Sequence, residues 1–395
     1  MNETRPSIFC RCVTMLYCLA LAAPAVAQEN GESEAAGAEQ TSEDELASAH
    51  EYEKLWELEK AASLYERFAE TAAPKRSELD DDGSARLEEA LRKAARFREL
   101  LGDREQAVEN HETYLKHLGD EEPAGADKAL FAIARLYEEM GEHKKALAQY
   151  ERILKYFEDS SEYDAILEAR AAIAEHHHQQ DDAASRKRAL AEFREVLDAY
   201  DSVPLDDQAQ LSRGRDAAAR AKFRLAEELY DEMARITIGD ASADELDALM
   251  REKMRAAEKA QRVLEDVLNF RRPHWAIAAL YKIAMQYEDF ANTVRHTPPP
   301  EKLNAEQKKT YRGLLEDRAQ TIETKAVFGY KKALDVARDV NWFNSYAKKA
   351  AERLTALDPE AFPDMSETLG HRRHSGTGFD PPGFSAPLVP EPSPM

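Results

Sequence analysis

Three groups of side chains in this 395-residue chain have the types and spacing to suggest chemistry. The run His176-His177-His178 brings three imidazoles together, as a metal site would need. Adjacent helical residues point about 100° apart, so the three cannot converge on one ion. No acidic or cysteine partner follows at ligand spacing, and the run reads as a solvated helix end. The carboxylate runs Asp80-Asp81-Asp82, Glu88-Glu89 and Asp181-Asp182 could serve acid–base catalysis only if burial or a close like charge shifted a pKa. Their surroundings predict polar loops or helix starts, where acids complement the helix dipole. Trp275 and Trp342 could stack a ligand, but at helical spacing both read as core, as do Tyr52, Tyr65, Tyr137, Tyr150, Tyr287 and Tyr330.

The common catalytic signatures are missing. The chain has no Gly-rich phosphate loop: Gly31 with Gly37, and Gly370 with Gly376 and Gly378, fall in polar end segments. It has no Gly-x-Ser-x-Gly elbow and no His-Glu-x-x-His stretch. The sequence predicts no catalytic residue, no metal site and no cofactor.

The elements that must carry these residues are helices. Ala, Leu, Glu, Lys and Arg dominate the middle of the chain, while Gly and Pro number only 15 and 17. The formal charge of −22, from 76 acidic and 54 basic side chains, excludes a role built on phosphate neutralisation along a nucleic acid. It also opposes adhesion to anionic membranes and keeps a long helical surface soluble. Arg5 and Arg11, the apolar run Val13 to Ala23 and the small residues Ala25-Val26-Ala27 predict an export signal over 1–27, cleaved before Gln28. The run is too short to span a bilayer, so the mature chain is expected to have no membrane span. Met15-Leu16-Tyr17 places a bulky aromatic where lipidation at Cys18 would require a small residue. All three cysteines, Cys10, Cys12 and Cys18, lie inside that signal, leaving a mature chain without disulfides or thiolates.

Residues 28–44 read as a disordered acidic leader and 366–395 as a disordered Pro-rich tail. Between them the helical pattern repeats. Leu130, Ile133, Ala134 and Tyr137 share one face, Gly141 stops the helix, and Ala146, Tyr150 and Ile153 follow on the next. On a 34-residue frame starting at Asp127 these fall at positions 4, 7, 8, 11, 15, 20, 24 and 27. A frame from Glu88 gives Leu91, Ala94, Ala95, Gly102, Ala107 and Tyr114, with Arg98 where position 11 expects an aromatic. A frame from Ser42 gives Ala49, Tyr52, Ala61, Tyr65 and Phe68.

With these positions occupied, the chain resembles the tetratricopeptide repeat family. The resemblance implies an all-α, right-handed superhelical solenoid of about six helix pairs with a C-terminal capping helix. Three well-matched units occupy 45–160, and divergent units with long helices and the cap occupy 161–365. The fourth unit carries Ala169 to Ala174, a polar loop Gln179 to Arg188, then Ala189, Phe193 and Val196. The fifth runs from about Asp216 to Phe270. Leu280, Ile283, Ala284 and Tyr287 repeat the Leu130 to Tyr137 spacing and open a sixth, which resumes after a Pro-rich loop with Ala326, Tyr330 and Ala333. Tyr346, Ala350, Leu354 and Leu357 form the cap before Asp358-Pro359.

The family resemblance further implies a concave groove lined by first-helix positions 2, 5, 9 and 12. Carried onto these frames it holds Arg92, Arg96, Lys128, Phe131 and Arg135. Arginine forks grip carboxylates, so the groove is expected to hold an acidic or C-terminal segment of a partner protein, with Phe131 taking an apolar side chain. Arg stands at both position-9 sites, where the family's carboxylate grip has Asn. The alternative is that Arg92, Arg96 and Arg135 pair with Glu88, Glu99 or Glu139 one turn away.

In the C-terminal third, Pro300, Leu303, Glu306, Tyr311, Leu315, Lys325-Ala326, Tyr330, Ala333-Leu334, Asn341-Trp342, Leu354, Leu357, Pro359 and Phe362-Pro363 look like the tail of large envelope repeat proteins of gliding and predatory bacteria. The expected role is a periplasmic scaffold or adaptor in a multi-protein envelope machine such as a motility complex. An architectural spacer and an enzyme with an unrecognised site are the alternatives. The oligomeric state is left open.

Overall fold

The computed structural model describes residues 43–118, 125–157, 161–238 and 243–363. The segments expected to be an export signal, an acidic leader as far as residue 42 and a Pro-rich tail lie outside the described residues. Among the described residues there is no strand, and 14 helices follow one another. These are α1 (43–54), α2 (Leu58–Ala72), α3 (Asp81–Leu101), α4 (Arg104–Leu118), α5 (Ala126–Glu139), α6 (His143–Tyr156) and α7 (Tyr163–His178). They continue with α8 (Ala183–Ser202), α9 (Leu205–Gln210), α10 (Arg213–Ala234), α11 (Ala243–Leu268), α12 (Pro273–Arg295), α13 (Ala305–Asp339) and α14 (Ser345–Leu357). Within each unit most helices pack chiefly on their neighbours in sequence, and the fold is an all-α solenoid of helix pairs.

The chain forms two compact units, one ending at Gly141 and one beginning at Glu142. In the first, Ala49, Ala61, Tyr65 and Phe68 from one frame, Leu91, Ala94, Ala95, Ala107 and Tyr114 from the next, and Leu130, Ile133 and Ala134 from the third are all buried. Alanines at the contact points let the paired helices approach, and the larger residues fill the space beside them. The hairpin turns close on left-handed residues, because a helix ends cheaply where its next residue reverses hand. Gly102 (φ 83°) and Gly141 (φ 75°) do this after α3 and α5. After α1 the equivalent residue is Trp56 (φ 59°), where a side chain costs about 1–2 kcal/mol.

In the second unit α7/α8, α10/α11 and α12/α13 are successive pairs, with α6 on α7 and α14 on both α12 and α13. Two glycines mark where helices come closest. A Cβ at Gly214 would meet the Leu167 Cδ1 at 2.8 Å, and one at Gly329 would meet the Ala284 Cβ at 2.9 Å. Asp164 of α7 reaches the start of α10, where its Oδ1 accepts from the Gly214 N–H at 2.8 Å. That bond satisfies a donor the helix itself leaves open. The cap begins at Asn344, whose side chain accepts from the Ala347 N–H, and Ala347, Ala350 and Leu354 bury its inner face.

Several sequence expectations change. The polar stretch Gln179 to Arg188 is mostly helix: α8 begins at Ala183, because Asp182 caps it by accepting from the Ala184 and Ser185 N–H groups. Glu88-Glu89 lies in the middle of α3, since Asp80 caps that helix well upstream. Trp275 is buried, but Trp342 is exposed, because left-handed Asn341 (φ 50°) turns the chain outward after α13. The histidine run ends a helix yet is half-buried, with the His178 ring 6.0 Å from Phe193 and His177 3.6 Å from Glu192.

Candidate functional site

The residues proposed for a partner groove lie on α3 and α5 of the first unit. Arg92, Arg96, Lys128 and Arg135 are exposed and Phe131 is half-buried. Arg96 and Arg135 converge on a single carboxylate. Glu99 Oε2 accepts from Arg96 Nη1 at 3.2 Å and from Arg135 Nη2 at 2.8 Å, while Oε1 lies 2.7 Å from His111 Nε2 on α4. His111 Nδ1 is buried without a hydrogen-bond partner, and Nε2 is the ring nitrogen that faces the Glu99 carboxylate.

Burial pushes the Glu99 carboxyl up, but the hydrogen bond and charge of His111, then Arg135 and Arg96, outweigh it and hold the pKa below the ordinary glutamate value. Only 10% of the Glu99 side chain is exposed, against 61% for Arg96 and 56% for Arg135. The two guanidiniums therefore rest on a buried anion while most of their surface faces water. A planar guanidinium has five donors in a fixed fork, and those turned outward suit a second carboxylate.

Arg96 thus pairs within its own helix, as the one-turn alternative expects, whereas Arg135 reaches across to the preceding first helix. The same pattern recurs. Glu53 of α1 holds Lys93 of α3 at 2.8 Å, Glu175 of α7 holds Arg224 of α10 at 2.5 Å, and Glu227 of α10 holds Lys282 of α12 at 2.9 Å. Glu288 of α12 accepts from Arg353 of α14, with Nε at 3.2 Å. In every case the earlier first helix supplies the acid and the following one the base. Sequence reading missed this ladder, whose one visible signal is an acid at position 12 of the frame from Glu88, facing a cation at position 9 of the frame from Asp127.

Arg98, which stands where the repeat expects an aromatic, is part of a second buried network. It makes a two-pronged bond to Glu66 of α2, at 2.8 and 2.6 Å, and reaches Asp103 at 3.1 Å, while Asn110 donates to the same Glu66 at 2.8 Å. A charged cluster has replaced the ring.

In the second unit an open cleft of about 830 Å³ is lined by His178, Asp182, Arg186, Arg224, Glu227 and Asp231, among others. Its charges are paired with one another: Arg186 with Glu228 and Asp231, and Arg224 with Glu175 and Glu227. Burial, then the charge of Arg224, pushes the His178 pKa down, favouring the neutral ring. Among the described residues no group of three or more His, Cys, Asp or Glu is placed to hold a metal ion. Among them too, no helix is long and apolar enough to cross a membrane.

No protein-family model and no curated protein matches the chain. Among the solved structures similar to it are two that superpose weakly. One, described as a circular tandem repeat protein with novel repeat topology and enhanced subunit contact surfaces, is 16% identical, with a TM-score of 0.23 over 83% of this chain and 72% of its own. The other, from the computational design of self-assembling cyclic protein homooligomers, is 15% identical, with a TM-score of 0.19 over 77% of this chain and 99% of its own.

Proposed function

We propose that the protein is a tetratricopeptide-like scaffold or adaptor, exported to the periplasm through a signal cleaved after Ala27, and that it holds partner proteins rather than catalysing a reaction. Its place is a multi-protein envelope assembly such as a motility complex. The partner presents an acidic or C-terminal segment to Arg92, Arg96, Lys128 and Arg135, and Phe131 takes an apolar side chain. The observation that carries this reading is the convergence of Arg96 and Arg135 on Glu99 with both guanidiniums more than half exposed. Glu99 holds the two forks in place before a ligand arrives, which lowers the ordering cost of binding.

Reversing these charges would set new carboxylates against Glu99, so the test neutralises them. A variant with Arg92→Gln, Arg96→Gln and Arg135→Gln in a Glu99→Gln background is compared with Glu99→Gln alone. The readouts are crosslinking in cells followed by affinity capture, and helical content by circular dichroism. Loss of a discrete set of envelope proteins with helicity retained supports the adaptor; identical capture by both variants rejects it.

The ion ladder favours a second reading, an architectural spacer, because it holds first helices to one another with cations a ligand would otherwise use. A spacer predicts that neither variant loses a partner.

A further inference from the structure

The α1–α2 turn breaks the rule its equivalents follow. At position 15 of their frames Gly102 and Gly141 take the left-handed conformation with open space around them. Trp56 takes it at φ 59° and is 79% exposed, next to Leu55, which is 66% exposed. A glycine there would relieve backbone strain and remove a large apolar surface from water. Neither local folding nor core packing accounts for this tryptophan. Leu100 and Leu101, also exposed, end α3 at the neighbouring turn. The two turns share one edge of the unit, since α3 runs antiparallel to α2, with Arg98 near the end of α3 bonding Ser63 and Glu66 in the first nine residues of α2.

The described chain also holds an apolar groove. It lies between α13 and α14 and is lined by Leu334, Ala351, Leu354, Thr355, Phe362 and Pro363, with a volume of about 530 Å³, room for an indole with a neighbouring isobutyl group. Arg338 and Lys348 against Glu352 leave its lining one positive charge. Across the α1–α2 turn, Glu51, Glu53, Glu57 and Glu59 against Lys54 and Lys60 leave two negative charges.

We propose that Trp56 and Leu55 of one copy dock into the α13–α14 groove of a second copy. The association is heterologous, with a knob on one molecule meeting a groove on the next, so a pair keeps one free knob and one free groove from which assembly continues. This goes beyond the partner-binding reading and uses none of its residues.

The test is sedimentation of the full chain over a concentration series, with two variants that leave the core intact. Trp56→Gly removes the knob and supplies the residue the turn favours, so it melts at a higher temperature than the wild type when both are monomeric. Ala351→Arg places a charge in the groove at an exposed position. The wild type forms dimers and larger species as concentration rises, and each variant alone stays monomeric at concentrations where the wild type associates. A 1:1 mixture of the variants forms a dimer and stops there, because Trp56→Gly contributes the intact groove and Ala351→Arg the intact knob. A wild type that stays monomeric throughout overturns the proposal. So does an Ala351→Arg chain that assembles like the wild type, or a mixture with no heterodimer.

Discussion

Gly329 of α13 lies directly against Ala284 of α12, with 2.9 Å between the Ala284 Cβ and the place a Cβ at 329 would occupy, and 3.3 Å to the Ala284 Cα. Gly313, on the same helix, has nothing within 4 Å of that place. One substitution at two sites therefore separates packing from helix propensity. Gly313→Ala gains about 0.5–1 kcal/mol from propensity alone. Gly329→Ala gains the same amount and loses about 1–3 kcal/mol to overpacking, because the Ala284 atoms it meets are held in a helix and cannot swing away. Chemical denaturation should show opposite signs, and a stabilised Gly329→Ala would mean that α12 and α13 separate easily at this point.

Arg224 bonds two carboxylates of the ladder at once. Its guanidinium bonds Glu175 at 2.5 and 3.0 Å and Glu227 at 2.8 Å, and only 19% of its side chain is exposed. Arg224→Ala leaves two half-buried carboxylates, one still held by Lys282, and should destabilise the second unit by about 3–5 kcal/mol. Lys54→Ala removes an equally short bond to Glu51, in which both side chains are 69% exposed. That loss should be undetectable in the same melt, since water and side-chain entropy cancel most of an exposed pair.

These two comparisons show where the sequence was informative. Small and large residues at the repeat positions, such as Ala49, Ala61, Ala95 and Ala134 beside Tyr65, Leu91 and Ile133, are periodic, and burial follows the period. The ladder is not periodic in sequence. Its partners stand 36, 40, 49, 55 and 65 residues apart, because the helix pairs differ in length. Arg92, Arg96 and Arg135 were visible as a basic stripe, but the buried Glu99 and His111 beneath two of them became evident only once α3, α4 and α5 were packed. Trp342 carried no sign of exposure, which follows from the left-handed Asn341 before it.

Two glutamates should give opposite pH signatures. The folded-state pKa of Glu99 is depressed: burial raises it, but His111, Arg135 and Arg96 together lower it by more. Its stabilisation is therefore complete above the unfolded value of about 4.3 and is lost as pH falls through the folded pKa. Glu99→Gln should melt below the wild type at pH 7, and the two midpoints should converge below about pH 4. For Glu168 burial dominates, the charges of Arg213 and Arg220 only partly offset it, and the pKa is raised. The folded state then holds that proton more tightly than the unfolded chain, and stability declines as pH rises through the folded pKa. Glu168→Gln should melt above the wild type at pH 7 and approach it in acid. A thermal-melt series over pH 3–8 reads both, and parallel curves for Glu99→Gln and wild type would remove His111, Arg96 and Arg135 as the cause.

Arg98 tests whether the departure from the repeat is local or is compensated by a partner. Tyr52 and Tyr137 stand at the equivalent positions of the neighbouring frames, so tyrosine suits the site by size. The site now holds a guanidinium with 14% exposure facing Glu66 with 15%. Arg98→Tyr alone removes the fork and leaves Glu66 with only the Asn110 amide, which should cost about 3–5 kcal/mol. Arg98→Tyr with Glu66→Leu removes both charges together, and replacement of a buried pair by apolar groups is often neutral or stabilising. The double variant should therefore recover most of the loss, and denaturation of the two singles and the double completes the cycle. A double variant no better than Arg98→Tyr would show that the losses it leaves, the 3.1 Å bond to Asp103 and the acceptor of the buried Asn110 amide, matter as much as the pairing with α2.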